Sequence, residues 1–209
     1  MTGTKIVKLN LDGGGVGDRL PRLKEGLVEE AVRLFTTVNS RGDVDDAFDE
    51  IVNWARGSNF NSALLQRVVD GIEKEYGVGD IAVQYRLGPF LSALINASTE
   101  TDLKVSTKTP LAMAGYRLGE GNRLTIEGDV DDAVGQNLRG GEVVVEGDAG
   151  NFVGLNARGG KITVRGNAGN FIGKHMENTI INLEGQAGSI ETSPISGEIW
   201  HRGERVWPR

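Results

Sequence analysis

Two histidines, His175 and His201, are this chain's whole supply of imidazole. Imidazole is the usual general base near neutral pH and a common metal ligand. Neither histidine has a partner at ligand spacing such as H-x-x-x-H, so a histidine-based zinc site has no support. There is no cysteine. That removes disulfides, thiolate metal sites, iron–sulfur ligation and a cysteine nucleophile from this chain. No G-x-S-x-G supports a hydrolase serine. Asp129, Asp131 and Asp132 cluster carboxylates, but an EF-hand calcium loop needs alternating oxygens over twelve residues and a closing glutamate, a pattern missing here. The same Gly-Asp-Val-Asp-Asp-Ala string recurs at 42–47, where helix capping explains it.

A glycine-rich run at 12–18 follows the apolar residues Ile6, Val7, Leu9 and Leu11. Strand then glycine turn is the layout of a nucleotide loop. The spacing fails, because Asp18 stands where the third glycine belongs and G-K-[ST] is absent. A short strand or arm leading into a linker or cap loop is expected instead. The remaining candidates are basic. Arg139, Arg158, Lys174 and His175 fall near one corner of successive repeats and would attract an anion there, a solvated corner being the competing reading. Asp70, Glu73 and Glu75 read as a solvated helix face.

The element that positions these residues is a repeat. Gly128, Gly147, Gly166 and Gly185 recur every 19 residues, and Gly135, Gly154 and Gly173 keep the same step, as do Gly121, Gly140 and Gly159. A fixed period near twenty marks a solenoid. Coils align as 123–141, 142–160, 161–179 and 180–198. Leu124, Val143, Ile162 and Ile181 form one aliphatic column, and Ile126, Val145, Val164 and Leu183 another. The intervening column, Thr125, Val144, Thr163 and Asn182, is mostly polar, so each coil carries a strand with one buried face. Ala133, Phe152, Phe171 and Ile190 give a further apolar column, then Val134, Val153 and Ile172, then Leu138, Ala157, Met176 and Ile195. Glycine suits the corners because it takes positive φ without steric penalty. Asp129, Asp148, Asn167 and Gln186 suit tight turns and would stack into hydrogen-bonded ladders.

The runs at 127–141, 147–154 and 166–173 resemble one superfamily, named for its G-x-x-G-x-x-x-G repeat (GXGXG). The first is similar to the C-terminal glycine-repeat domain of the glutamate synthase large subunit. The other two also resemble the glycine-repeat subunit of formylmethanofuran dehydrogenase. The likeness covers about residues 120–190 and implies a right-handed parallel β-helix of four to five coils. It also implies a structural, non-catalytic role beside partner subunits that carry flavin, iron–sulfur or molybdenum/tungsten centres, with no cofactor, metal or catalytic residue in this chain.

The first hundred residues lie outside that likeness. Helical spacing predicts three helices: one through Leu23, Leu27, Ala31, Leu34, Phe35 and Val38, one through Val44, Ala47, Phe48, Ile51 and Ala55 with Asp43 as N-cap, and one through Leu64, Leu65, Val68, Val69, Ile72 and Tyr76. The third opens at Asn59 or Asn61 and closes at Gly77. Short connections make the three antiparallel neighbours. A strand is expected at 81–86 and a short helix at 89–96. Residues 103–118 read as a degenerate first coil with Thr109 and Tyr116 at the glycine positions. The fold class is therefore α+β: a helical domain at 1–97, a glycine-repeat β-helix at 103–199, and a tail or cap at 200–209. Because a solenoid end exposes unpaired backbone, the helices are expected to cover one end. Trp200 and Trp207 give the tail either a capping role or an assembly contact.

Composition narrows the partners. The net charge of −6 and the lack of a basic run argue against nucleic acid. No signal-like or membrane-length apolar run is present. The expectation is a cytoplasmic protein that binds other subunits or itself. The alternative from a different class is a stand-alone ligand-binding protein or small enzyme with a site between helices and β-helix.

Overall fold

The computed structural model describes residues 24–39, 43–191 and 195–208. The readings at 6–11 and 12–18, Leu23 and Pro194 lie outside the described residues. Four helices come first: α1 Lys24–Asn39, α2 Val44–Ala55, α3 Ser62–Tyr76 and α4 Ile81–Ala97. The caps are those expected. Asp43 accepts the Asp45 N–H at 2.8 Å, and Asn61 accepts the Leu64 N–H at 2.9 Å. Gly77, at φ +95°, closes α3 by donating its N–H to the Glu73 carbonyl.

The expected strand at 81–86 is instead the first half of α4. Val83, Leu87, Phe90, Leu91 and Leu94 are all buried at three- and four-residue steps, so the helical period prevails over a short apparent alternation. Pro89 sits inside this helix and has no N–H for the carbonyl four residues back. The expected packing of the first three helices as sequential neighbours also changes. α2 lies mainly on α4 and α1 on α3, while α1 and α2 meet only at their margin. The broad apolar face of α4, read as a strand and a fragment, is what α2 needs. Phe35 joins the pairs, edge-on to Tyr76 at 5.6 Å and to Phe90 at 5.3 Å.

Seven strands follow among the described residues: β1 Asp102–Ser106, β2 Arg123–Glu127, β3 Glu142–Val145, β4 Lys161–Val164, β5 Thr179–Leu183, β6 Gly197–His201 and β7 Glu204–Trp207. They pair in chain order, parallel from β1 to β6, with β7 folded back antiparallel on β6. The result is a parallel β-solenoid of about five turns. Leu124, Val143, Ile162 and Ile181 stand in register, with Leu103 before them and Ile199 after. All six are buried. Outside the sheet, Glu142 lies between Arg123 at 3.8 Å and Lys161 at 3.7 Å, and Arg165 pairs with Glu146 at 3.0 Å. Such exposed pairs contribute about 0–1 kcal/mol each.

The glycine columns do two different jobs. Gly154 sits at φ +73°, and a Cβ there would lie 2.7 Å from the Ile181 Cδ1. Gly147 is not left-handed; a Cβ on it would lie 2.5 Å from the Gly128 carbonyl oxygen of the previous coil. Positive φ therefore explains the Gly154 column, and close approach of backbones explains Gly147.

The end coils depart from the expected alignment. Ser106 pairs with Glu127 while Leu111 bridges Val130, so five steps of the first coil match three of the second. Gly115, at φ +78°, consequently serves as the counterpart of Gly135, and neither Thr109 nor Tyr116 replaces a glycine. At the far end Ile180 pairs with Glu198, a step of 18, and Ile172 bridges Ile190. Ile190 thus continues the Ile172 column and not that of Phe171. Ile195, expected inside beside Met176, is 64% exposed.

Both ends of the sheet are covered. At the first, α3 treats β1 as a neighbouring strand would. The Gln66 amide donates to the Ser106 carbonyl at 2.8 Å and accepts the Ser106 N–H at 2.8 Å, and the Ser62 hydroxyl accepts the Lys104 N–H at 2.9 Å. At the other end β7 covers β6, with Val206 and Trp207 packed against the core. β7 is four residues long, with exposed Glu204 and Arg205 and Pro208 behind it. Those are the devices that blunt an edge strand.

Candidate functional site

The basic residues singled out from the repeat lie on the solenoid's outer surface. Arg139 and Arg158 occupy one column on successive coils and are exposed. The next position in that column is Glu177, bridged to Arg158, so the basic row ends in a carboxylate. His175 is exposed at φ +55°, in line with Asn137 and Asn156 at φ +56° and +53°. Lys174 leans the other way, its ammonium 5.9 Å from the centre of the Phe152 ring. His201 lies far along the chain, its Nε2 2.9 Å from the Gly185 carbonyl. A carbonyl only accepts, so that nitrogen carries the proton.

Phe152 and Phe171 were expected inside. They point outward and stack on each other, centroids 5.0 Å apart and planes 15° from parallel. Phe171 is 44% exposed. The reason is the backbone: Ala133, Phe152 and Phe171 sit at φ +64°, +62° and +61°. Each arc alternates left-handed residues, Phe152, Gly154 and Asn156 for example. The glycine faces the core and its two flanks face out. Non-glycine residues in this region cost about 1–2 kcal/mol apiece. The arc holds them through N–H donation to the next coil, Phe152 to the Asn170 carbonyl at 2.8 Å and Asn156 to the Lys174 carbonyl at 3.0 Å.

Asp129 and Asp132 are committed to the coils. The Asp129 Oδ1 accepts the Asp148 N–H at 2.8 Å, Asp148 accepts from Asn167 at 2.6 Å, and Asn167 accepts from Gln186 at 2.9 Å. This is the ladder the turn residues implied. A second one, not foreseen, runs from Asp132 to the Asn151 N–H at 2.6 Å, from Asn151 to Asn170 at 2.9 Å, and from Asn170 to Ser189 at 3.0 Å. Asp131 accepts from the Gln84 amide of α4. Among the described residues no group of three or more His, Asp or Glu stands close enough to hold a metal ion. No helix among them is long and apolar enough to cross a membrane.

The junction of helices and first coil carries the densest polar chemistry. Glu73 is 7% exposed, not part of a solvated face, and its Oε1 accepts the N–H groups of Lys108 at 2.9 Å and Thr109 at 3.0 Å. Asp70 and Glu75 are exposed as expected. Asn96 near the end of α4 accepts the Gly119 N–H at 2.8 Å and donates to the Arg117 carbonyl at 2.9 Å. Arg117 joins α2, paired with Asp45 at 3.0 Å and Asp49 at 3.1 Å, and lies 4.7 Å over the Phe48 ring. The Tyr116 hydroxyl donates to Asp45 at 2.7 Å. Burial, then this carboxylate, pushes Tyr116 up to about 12. At Gly88, α4 approaches the first coil so closely that a Cβ there would lie 2.9 Å from the Ala114 nitrogen.

One concave feature among the described residues lies within the helical layer. A shallow, solvent-open depression with a cavity volume of only about 10 Å³ is lined by Val38 of α1, Val44, Phe48 and Ile51 of α2, and Arg86 and Pro89 of α4. Among the described residues that line it, Arg86 is the charged one. Its Nη1 is buried and has no hydrogen-bond partner. Nothing in the sequence singled out Arg86, because its isolation depends on how α1, α2 and α4 meet. Compared with protein-family models, curated proteins and solved structures, the chain matches none of them.

Proposed function

We propose that the chain is a non-catalytic scaffold or assembly subunit of a larger oxidoreductase or amidotransferase complex, in the manner of the glycine-repeat domain of glutamate synthase. One observation carries this reading: the coil-to-coil bonding of the solenoid surface. Two side-chain ladders and the left-handed arcs tie each coil to the next. Side chains such as Arg139, Arg158, Phe152 and Phe171 are thereby held at one strand spacing, about 4.8 Å. A surface fixed in this way suits holding partners in place. Chemistry on bound substrates commonly calls on moving loops and convergent polar groups.

The glycine runs at 147–154 and 166–173 support placement within the repeat superfamily, and the 19-residue coil is compatible with it. Flavin, iron–sulfur or molybdenum/tungsten centres belong to partner subunits in this reading, and the complex is cytoplasmic. A formylmethanofuran dehydrogenase-type complex is the second reading, favoured by the paired Gly-Asn-Phe runs that place Phe152 and Phe171 on the surface.

The test is recovery of the tagged protein from its own cells at mild salt, followed by mass measurement and absorbance. Stoichiometric subunits with flavin or metal-centre absorbance are expected. A lone chain or homo-oligomer, recovered with the tag at either of two positions, would overturn the reading.

A further inference from the structure

The first left-handed residue of each arc turns outward, so successive coils build a strip of these side chains along the solenoid. The column reads Met113, Ala133, Phe152 and Phe171, at φ +53°, +64°, +62° and +61°. In the last coil Ser189 stands next in line, its hydroxyl accepting the Phe171 N–H at 3.0 Å. In size the five residues run large, small, large, large, small. Ala133 is a notch one coil wide between Met113 and Phe152, and is itself only 9% exposed. Phe171 is a knob, stacked on Phe152 by one ring face and followed only by the small Ser189 on the other. The strip covers four coil steps, about 19 Å.

We propose that this strip joins two copies of the chain, laid face to face and running in opposite directions about a two-fold axis at Phe152. Reversal matches the sizes. Phe152 meets Phe152 on the axis, Phe171 of each copy enters the Ala133 notch of the other, and Met113 meets Ser189. The flanking columns agree in charge. On one side stand Asp132, Asn151 and Asn170, and on the other Gln136, Leu155 and Lys174. Reversal brings Asp132 to Asn170 and Lys174 to Gln136, so each charge meets an amide that can hydrogen-bond it and none meets its like. Leu155 meets Leu155. Copies running in the same direction would set Ala133 on Ala133 and Phe171 on Phe171, a void beside a clash. The two-fold closes the assembly at two chains. A strip this narrow gives an interface below about 1,200 Å², the class of weak pairs, so the dimer comes apart on dilution. The inference stands apart from the scaffold reading. It concerns the purified chain, and recovery of other subunits from cells tests the scaffold reading alone.

Sedimentation equilibrium of the purified full chain, from about 1 μM to 1 mM, is expected to show one chain passing to two and nothing larger. Ala133→Phe fills the notch and Phe171→Ala removes the knob. Each is expected to weaken the dimer by about tenfold or more. The double variant exchanges knob and notch, and its dimer is expected to return to within roughly threefold of wild type. Position 133 accepts phenylalanine because Phe152 and Phe171 already hold that backbone conformation. Thermal unfolding checks each variant's fold, and Phe171→Ala, at an exposed position, decides alone should Ala133→Phe fold poorly. A dimer strengthened by Ala133→Phe would overturn the proposal in favour of general apolar association. Failure of the double variant to recover, where both single variants weaken, would overturn the reversed pairing. A single chain throughout the range, species larger than two, or a dimer indifferent to Phe171→Ala would each overturn it as well, the last in favour of another surface such as the Trp200 and Trp207 hairpin.

Discussion

Replacing Glu73 by alanine tests whether α3 holds the first coil through buried, charge-assisted hydrogen bonds. The carboxylate accepts two backbone N–H groups, at 2.9 and 3.0 Å, and Thr109 is buried beneath it. Hydrogen bonds to a charged acceptor contribute about 1.5–3 kcal/mol each. Alanine also leaves the buried Thr109 N–H without an acceptor in a place water reaches poorly. The sum is a loss of about 3–5 kcal/mol, a third or more of the stability of an ordinary domain. With a urea slope of about 2 kcal/mol/M, the unfolding midpoint should fall by about 2 M. Gln66→Ala is the matched control. It also removes two backbone contacts, both 2.8 Å, but from Ser106 on an exposed edge. Water takes over both groups there, so the expected loss is about 1 kcal/mol or less. Urea unfolding of the two variants side by side decides the matter. Equal losses, or a Glu73→Ala loss below about 1 kcal/mol, would show that burial of these donors is not what anchors the coil.

Three further outcomes are expected. Gly147→Ala should cost about 3 kcal/mol or more, since its Cβ meets backbone 2.5 Å away, whereas Gly121→Ala, in open space at φ +80°, should cost about 1 kcal/mol; chemical denaturation ranks them. Tyr116, raised from 10.0 to about 12 in the folded chain, favours the fold fully below pH 10, and that contribution is lost as pH rises toward 12. Tyr116→Phe should flatten the decline between those values in stability measured against pH. Phe171→Gly should retain more stability than Phe171→Ala, by about 0.5–1 kcal/mol, because φ +61° strains any side chain at an exposed position; differential scanning calorimetry resolves the difference.

The repeating part of the fold was legible because each coil states the same chemistry again. Leu124, Val143, Ile162 and Ile181 could be read as one column from spacing alone, and the Asp129 ladder followed from turn residues in line. The terminal coils were not legible in the same way. Two extra residues between Ser106 and Leu111 and one fewer in the last coil break the step, and only strand pairing reveals where. Phe152 and Phe171 misled because apolar side chains suggest a core, while the left-handed backbone that turns them outward leaves no mark beyond the neighbouring glycine. In the helices, Asp43, Asn61 and Gly77 announced themselves through local capping chemistry. Glu73 did not, since its partners are backbone amides more than thirty residues away, and amides carry no residue signature. The depression at Arg86 is a product of three helices meeting and has no local signal at all.

The covered ends have a consequence for distance. From β1 under the helices to β6 under the closing hairpin there are five strand steps, about 24 Å at 4.8 Å each. Because a coil touches only the coils beside it, a 19-residue unit copied in or cut out at 161–179 would lengthen or shorten that span by one step and leave both caps as they are. The chain is therefore a ruler with a graduation of one strand. Whatever rests on the helices and whatever rests on the hairpin are kept apart by a whole number of coils.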